Sequence, residues 1–220
     1  MTHVMRNIPL FSGLGDEELG VLIRYAVRKT VPRSTRLFAQ GAPGDALFVI
    51  QRGKVKVVLS DAEGKEVILS VLGPGDFFGE MALIDDEPRS AGVVTMETSE
   101  FYIISKIDFR TCVAKQPELA TNLMRHLSRR LRIADQKIGS LALMDVYGRV
   151  AGTLLQLAEY DDGKRVLTGR YTQKDIASMV GASREMVSRI FKDLTEAGFI
   201  EPDGDRIILH EPPEPPRLPD

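Results

Sequence analysis

The sequence predicts an α+β chain: a jelly-roll-like antiparallel β-roll, one long helix, and a C-terminal helix–turn–helix closed by a β-wing. Three observations carry this expectation. Between about residues 30 and 110, β-branched runs such as ALFVIQRG, KVKVVLSDAEG and EVILSVLGPG alternate with glycine turns. From about 116 to 145 the apolar spacing becomes helical. Beyond that, two capped helical stretches flank the tight turn Gly181-Ala182-Ser183.

Each element has its own signal. At the N-terminus, Asp16 is positioned to cap a short amphipathic helix that turns Leu19, Leu22, Ile23 and Ala26 inward. Glycines 41, 44, 53, 64, 73 and 75 punctuate the strands, and Asp61-Ala-Glu-Gly reads as a hairpin turn. Leu127, Leu131, Ala134, Ile138 and Leu141 then recur at intervals of four, three, four and three, a heptad seam. Arg130 falls at a g position and Asp135 at e, so a parallel pair of helices would bring Arg130 to Asp135 of a second copy. Val146–Tyr160 is apolar at helical spacing. Thr172-Gln-Lys-Asp175 has the form of a capping box and opens a helix through Val180. Ser183 caps the next helix, Arg184–Ala197, and Gly198 ends it. Phe199-Ile200, Asp203-Gly-Asp and Arg206–Leu209 read as the wing, and the tail EPPEPPRLPD as extended or disordered.

Composition excludes several function classes. Cys112 stands alone, so one chain holds no disulfide and no all-cysteine metal or iron–sulfur site. His3, His126 and His210 have no ligand spacing, which disfavours a metal or haem centre. No clustered carboxylate–histidine constellation offers catalysis, so no enzyme is expected. No apolar run approaches the roughly 20 residues of a membrane span, and the N-terminus lacks a signal-like apolar region. A cytoplasmic protein without a membrane partner is expected. The net charge of −2 does not by itself suggest nucleic acid.

The stretch Phe78–Ala91, FGEMALIDDEPRSA, carries binding chemistry. Gly79 lets a phosphate approach backbone N–H groups at a helix start. Arg89 adds a charged planar fork and Ser90 a hydroxyl donor. Glu80, acceptor-only when ionised, suits a ligand hydroxyl such as a ribose 2′-OH. Phosphate clamp and hydroxyl acceptor together suggest a nucleotide. Further on, Arg184, Glu185 and Arg189 lead the second helix of the helix–turn–helix, where they can reach base edges. Ala182, Met186, Val187 and Ile190 are assigned to packing. From Arg170 to Lys192 there are five basic and two acidic residues, a local basic strip in an acidic protein.

With these motifs in this order, the chain resembles the cyclic-AMP receptor protein/FNR family of bacterial transcription regulators over about residues 8–210. FGEMALIDDEPRSA is similar to that family's phosphate-binding cassette. MDVYGRVAGTLLQLA is similar to the start of its DNA-binding domain, and VGASREMVSRIFKDL to its recognition helix. The resemblance implies a sensor domain over 1–115, a dimerisation helix and hinge over 116–145, and a winged helix-turn-helix over 146–210, with 211–220 as the tail. It implies a homodimer that binds a palindromic duplex with half-sites resembling TGTGA and works with RNA polymerase.

The implied ligand set is Gly79, Glu80, Met81, Ala82, Arg89 and Ser90, with Arg130 and Asp135 at the base end. The implied DNA-facing set is Thr172, Gln173, Ser183, Arg184, Glu185, Ser188 and Arg189. The chain departs from the family pattern at Ala134 and Asp135, which stand where the cyclic-AMP receptor has a Thr-Ser pair holding adenine. Alanine offers the base no polar side-chain group, and Asp135 can accept from a guanine N–H or an adenine amino group. Cyclic AMP leads as effector, with cyclic GMP and cyclic di-GMP open. A regulator that binds DNA without a cyclic mononucleotide is the alternative.

Overall fold

The computed structural model describes residues 5–6, 8–168, 171–204 and 206–210. The expectations for His3, Arg170 and the tail 211–220 fall outside the described residues. The chain separates into two compact units at Asp135/Gln136.

The first unit begins with a 3-10 turn, Pro9–Phe11, and helix α1, Asp16–Tyr25. Gly15, not Asp16, is the N-cap of α1; Asp16 opens the helix and pairs with Arg6. Eight strands follow: β1 Val27–Val31, β2 Arg36–Phe38, β3 Ala46–Arg52, β4 Val55–Ser60, β5 Glu66–Leu72, β6 Phe77–Phe78, β7 Gly92–Thr95 and β8 Ser99–Ser105. Helix α2, Met81–Ile84, is set between β6 and β7. Helix α3, Lys106–Lys115, comes after β8, and α4, Pro117–Leu143, follows it, with its last residues from Gln136 onward belonging to the second unit. The strands form two antiparallel four-stranded sheets, in orders β1-β8-β3-β6 and β2-β7-β4-β5.

Neighbouring residues of the first sheet serve different cores. Ile50, Phe78 and Phe101 join Val55, Leu72 and Val93 in the roll interior. Their chain neighbours Val49, Phe77 and Tyr102 pack in a second cluster with Leu19, Phe109, Leu119 and Leu123 of the helices. Side chains alternate faces along a strand, so a sheet covered on both sides needs continuous apolar runs. Phe77-Phe78 is such a run.

Several elements depart from the expectation. β1, just past the residues of the expected N-terminal helix, was not anticipated, because of its five residues only Val31 is buried and no alternating pattern marks it. It is an edge strand, where charged residues are tolerated. β6 is too short for a periodic signal. Helix α3 was expected to belong to the roll; Ser105 caps it by accepting from Asp108 N–H at 3.2 Å.

In the second unit, α5 covers Val146–Leu157 and stops three residues before Tyr160. Tyr160 lies instead in β9, Glu159–Asp161, which pairs with β10, Lys164–Thr168. Helices α6, Gln173–Val180, and α7, Arg184–Glu196, follow, then strands β11, Ile200–Asp203, and β12, Arg206–Leu209. The sheet order β11-β12-β10-β9 makes the wing part of a four-stranded sheet rather than a lone hairpin. Val150, Leu154, Ile176, Val180, Val187, Ile190 and Leu194 are buried. No helix among the described residues is long and apolar enough to cross a membrane.

Candidate functional site

β6 delivers Gly79 and Glu80 to the start of α2, and the segment after α2 returns Arg89 to the same place. Gly79 has φ +85°, and a Cβ there would stand 2.4 Å from Arg89 Nη1. Glycine is therefore required both by the backbone and by the close approach. Arg89 is 4 % exposed. Its Nη1 donates to the Gly79 carbonyl at 2.7 Å and its Nη2 to the Ala46 carbonyl at 2.9 Å. The guanidinium lies 4.2 Å from the Phe38 ring centre. Asp45, 3.9 Å from Nη2, is its ion-pair partner but is itself almost fully exposed. Burial pushes the Arg89 pKa down, with Asp45 and Glu80 opposing it. An arginine remains charged nonetheless, so the site holds a desolvated cation with little neutralisation.

Glu80 is also buried, at 1 % exposure. Its Oε1 accepts from Arg130 Nη1 at 2.7 Å. Arg130 also donates to the Phe77 carbonyl. Arg130 of α4 thus reaches the cassette of its own chain, and a contact with Asp135 of a second copy is an expectation about a dimer. Two buried side-chain atoms of the cassette have no hydrogen-bond partner: Arg89 Nε, a donor, and Glu80 Oε2, an acceptor. Buried polar atoms are rarely left so, and each such atom asks for a reason.

The remaining expected ligand residues fall into two groups. Ala82 is buried, whereas Met81 is 46 % exposed over the site with its Sδ 3.6 Å from Ser90 Oγ. The Ser90 hydroxyl is exposed and can rotate toward a ligand. Asp135 is exposed on α4, five residues beyond Arg130. At about 100° per residue the two side chains point some 140° apart around the helix. One chain therefore does not bring Asp135 to the cassette that Arg130 serves.

Sequence reasoning missed the groups that hold the cassette in place. Lys106 Nζ donates to the Ala82 carbonyl at 3.4 Å and Arg110 Nε to the Leu83 carbonyl at 2.9 Å. These are carbonyls of α2, which α3 thereby caps with positive charge. Both cations also meet Asp86, whose pKa falls to about 2 through hydrogen bonds from Lys106 and then Arg110. The signal was the i,i+4 pair Lys106/Arg110 after a strand, but nothing local names its partner. Phe38 could not be assigned either, since its contact with Arg89 spans the roll.

In the second unit the helix–turn–helix follows from its caps. Thr172 Oγ1 accepts from Asp175 N–H at 3.1 Å, and Asp175 Oδ2 accepts from Thr172 N–H at 3.1 Å. Gly181 takes φ +67°, the left-handed conformation that ends α6. Ser183 Oγ accepts from Met186 N–H at 3.2 Å to start α7. Ser183, Arg184, Glu185, Ser188 and Arg189 are exposed, while Val187 and Ile190 are buried. Thr172 is exposed and Gln173 half-buried at the start of α6. Arg184, Ser188, Glu185 and Arg189 span about 140° of α7 opposite its buried stripe. Met186, assigned to packing, is instead 39 % exposed beside that face. The Glu185 carboxyl is held below its usual pKa by its backbone N–H, the Ser183 hydroxyl and Arg184. A carboxylate between two guanidinium groups offers one acceptor between two donor forks, the complement of mixed base edges.

Among the described residues no group of three or more His, Cys, Asp or Glu side chains could hold a metal ion. Cys112 is buried, and burial raises its thiol pKa.

The family models that match are the cyclic nucleotide-binding domain over residues 28–116 and the Crp-like helix-turn-helix domain over residues 148–214. The chain is 33% identical over 215 residues to a CRP-like cAMP-activated global transcriptional regulator of Mycobacterium tuberculosis, covering 96% of each chain. It is 38% identical over 183 residues to the cAMP-activated global transcriptional regulator CRP of Salmonella typhimurium, covering 81% of this chain and 87% of that protein. Among solved structures, the c-di-GMP responsive global regulator CLP of Xanthomonas campestris is similar with a TM-score of 0.78. Its identity is 26%, over 90% of this chain and 100% of that one. With a cyclic nucleotide-binding roll, a long helix and a Crp-like helix-turn-helix in one polypeptide, the chain belongs to the CRP/FNR family of ligand-gated, DNA-binding transcription regulators.

Proposed function

We propose that this regulator is a cytoplasmic homodimer gated by a cyclic nucleotide held in the roll, with cyclic AMP the leading effector. The observation that carries the reading is the pair of unpartnered buried atoms in the cassette. Arg89 Nε is a donor and suits a cyclic phosphate oxygen. Glu80 Oε2 is an acceptor and suits a ribose hydroxyl. The cyclic AMP response named for the Mycobacterium and Salmonella relatives supports the same effector.

Glu80 Oε1 already holds Arg130, so the ligand's ribose and the long helix share one carboxylate. A nucleotide that recruits Oε2 stiffens that contact. Helix α4 exposes Leu131 at 64 %, Ile138 at 65 % and Leu141 at 48 % along the heptad seam. A second copy of α4 is the natural cover for such a seam. The pairing would set the spacing of two α7 helices on a palindromic operator, with Arg184, Glu185 and Arg189 reading half-sites resembling TGTGA and RNA polymerase the partner in transcription. Linkage requires that the effector bind the DNA-competent state more tightly.

Response to cyclic di-GMP, or DNA binding without a mononucleotide, is the second reading. It is favoured by Ala134 and Asp135 at the base end and by the named effector of the Xanthomonas relative. Titration calorimetry of the full chain with cyclic AMP, cyclic GMP and cyclic di-GMP separates the two. Saturable binding of cyclic AMP that tightens binding to a TGTGA palindrome is expected. Binding to none of the three, with undiminished DNA binding, would remove the nucleotide from the mechanism.

A further inference from the structure

A second recess lies outside the cassette, between the N-terminal segment and α4. It has a volume of about 390 Å³ and is walled by Arg6, Ile8, Asn122, Arg125, His126 and Arg129 among others. None of its lining residues is acidic. Arg6 is already ion-paired with Asp16. Arg125 donates one N–H to Asn122 Oδ1 at 2.9 Å, and Arg129 has no ion pair among the described residues. The unneutralised charge is therefore that of Arg125 and Arg129.

The wall is fixed rather than loose. Asn122 Nδ2 donates to the Leu10 carbonyl at 3.2 Å and the Ser12 carbonyl at 2.7 Å, tying α4 to the N-terminal turn. The His126 ring packs on Phe77 with centroids 4.1 Å apart. Its Nε2 is buried without a hydrogen-bond partner. Burial, then Arg130 and Arg129, hold the imidazole pKa down to about 4, so the ring is neutral and can donate or accept one bond at Nε2. Asn122, Arg125 and Arg129 face roughly 180° around α4 from the Leu127, Leu131 and Ile138 seam. Pairing of the seam leaves the recess open.

We propose that this recess is a second ligand site of the sensor unit, for a compact diphosphate-bearing small molecule. Residues four apart on a helix carry their Cβ atoms about 5–6 Å apart, so both guanidinium forks can reach one compact anion from the same side of α4. Guanidinium forks match phosphate oxygens in pairs, and the His126 ring in the same wall lies close enough to report an anion held there. A recess of this volume admits a diphosphate or the diphosphate end of a nucleotide, not a nucleic-acid strand.

The test follows the His126 ring resonances of the full chain by NMR during titration with pyrophosphate, ADP and citrate at about 0.15 M salt. His126 is expected to shift saturably with pyrophosphate, while His210 stays. Arg125→Gln/Arg129→Gln should weaken this binding at least tenfold, Arg129→Lys less, and Arg89→Ala not at all. Both arginines are exposed, so these variants leave the buried core untouched. Equal affinity for ADP assigns the diphosphate as the recognised group and supports the site, as does tighter binding of ADP. Citrate binding as tightly as pyrophosphate overturns the phosphate class. Binding lost in Arg89→Ala but kept in Arg125→Gln/Arg129→Gln would put the anion in the cassette and overturn the site. So would the absence of any His126 shift.

Discussion

Replacing Arg89 with methionine should separate binding from folding. In the free protein the guanidinium donates to two carbonyls and lies on Phe38, yet its carboxylate partner is 3.9 Å away and solvated. Losing the two bonds leaves Gly79 and Ala46 oxygens unsatisfied, about 1–3 kcal/mol each. Losing the ring contact costs up to about 2 kcal/mol. Against this, methionine removes a desolvated charge whose burial costs several kcal/mol, and it restores apolar contact with Phe38. The terms nearly cancel, so the ligand-free protein should stay within about 2 kcal/mol of its parent. That is a shift in Tm of less than about 8 °C for a chain of this size.

Binding has no such offset. Two charge-assisted bonds to a cyclic phosphate are worth about 3–4 kcal/mol together, a loss of about 10²- to 10³-fold in affinity. At a cyclic AMP concentration of one hundred times the parent Kd, the parent gains about 2.7 kcal/mol and a variant weakened a hundredfold only about 0.4 kcal/mol. Thermal melts with and without nucleotide, with calorimetry for Kd, read both quantities. A ligand-free loss above about 4 kcal/mol would make Arg89 a fold-holding residue, and an unchanged Kd would refute its role as the phosphate group.

Gly79→Ala should weaken nucleotide binding at least tenfold and cost about 1–2 kcal/mol, because it combines a positive φ with a clash on Arg89 Nη1. A Kd equal to the parent's in calorimetry would count against it. Arg184→Ala should relax discrimination at one base pair by about 1–3 kcal/mol. Lys192→Ala, on an exposed side chain beside Glu196, should weaken all sequences alike and flatten the salt slope by about one. Competition binding to operator variants at several salt concentrations distinguishes these outcomes. The His126 pKa, depressed from 6.5 to about 4, means the unfolded chain binds the proton more readily. His126 therefore adds stability above about pH 6.5 that is lost as pH falls toward 4. Urea midpoints should drop across that window, and His126→Gln should flatten the drop; an equally steep drop in the variant would reject the assignment.

The architecture was legible where local chemistry and tertiary structure agree. Thr172 and Ser183 cap their helices in sequence and in space, and Gly181 has the backbone its position demands. The cassette was legible because Gly79, Glu80, Arg89 and Ser90 lie within one short stretch. What escaped depends on distant partners. β1 earns its place through pairing with β8, not through its own pattern. Asp16 was assigned a cap that Gly15 takes. Phe38 and Lys106 reach the cassette from other parts of the roll. The commitment of Arg130 to Glu80 joins residues 50 apart, and no periodicity encodes it.

That ion pair also locates where effector choice must be made. Arg130 is drawn to the cassette of its own chain, and Asp135 points about 140° away around the same helix. A base that emerges from the cassette past Arg130 would meet Asp135 only from a second copy across the seam. In a homodimer of the kind proposed, phosphate and ribose would be recognised by one subunit and the base by its partner. Asp135 accepts and does not donate, so it favours a base presenting N–H groups. Guanine offers two such groups on its ring edge and adenine one amino group. On this argument Asp135→Ser should raise the Kd of cyclic GMP relative to that of cyclic AMP while leaving the Arg89 and Glu80 contacts intact. Calorimetry with both nucleotides measures the ratio of their Kd values, and a ratio unchanged by Asp135→Ser would place base recognition elsewhere.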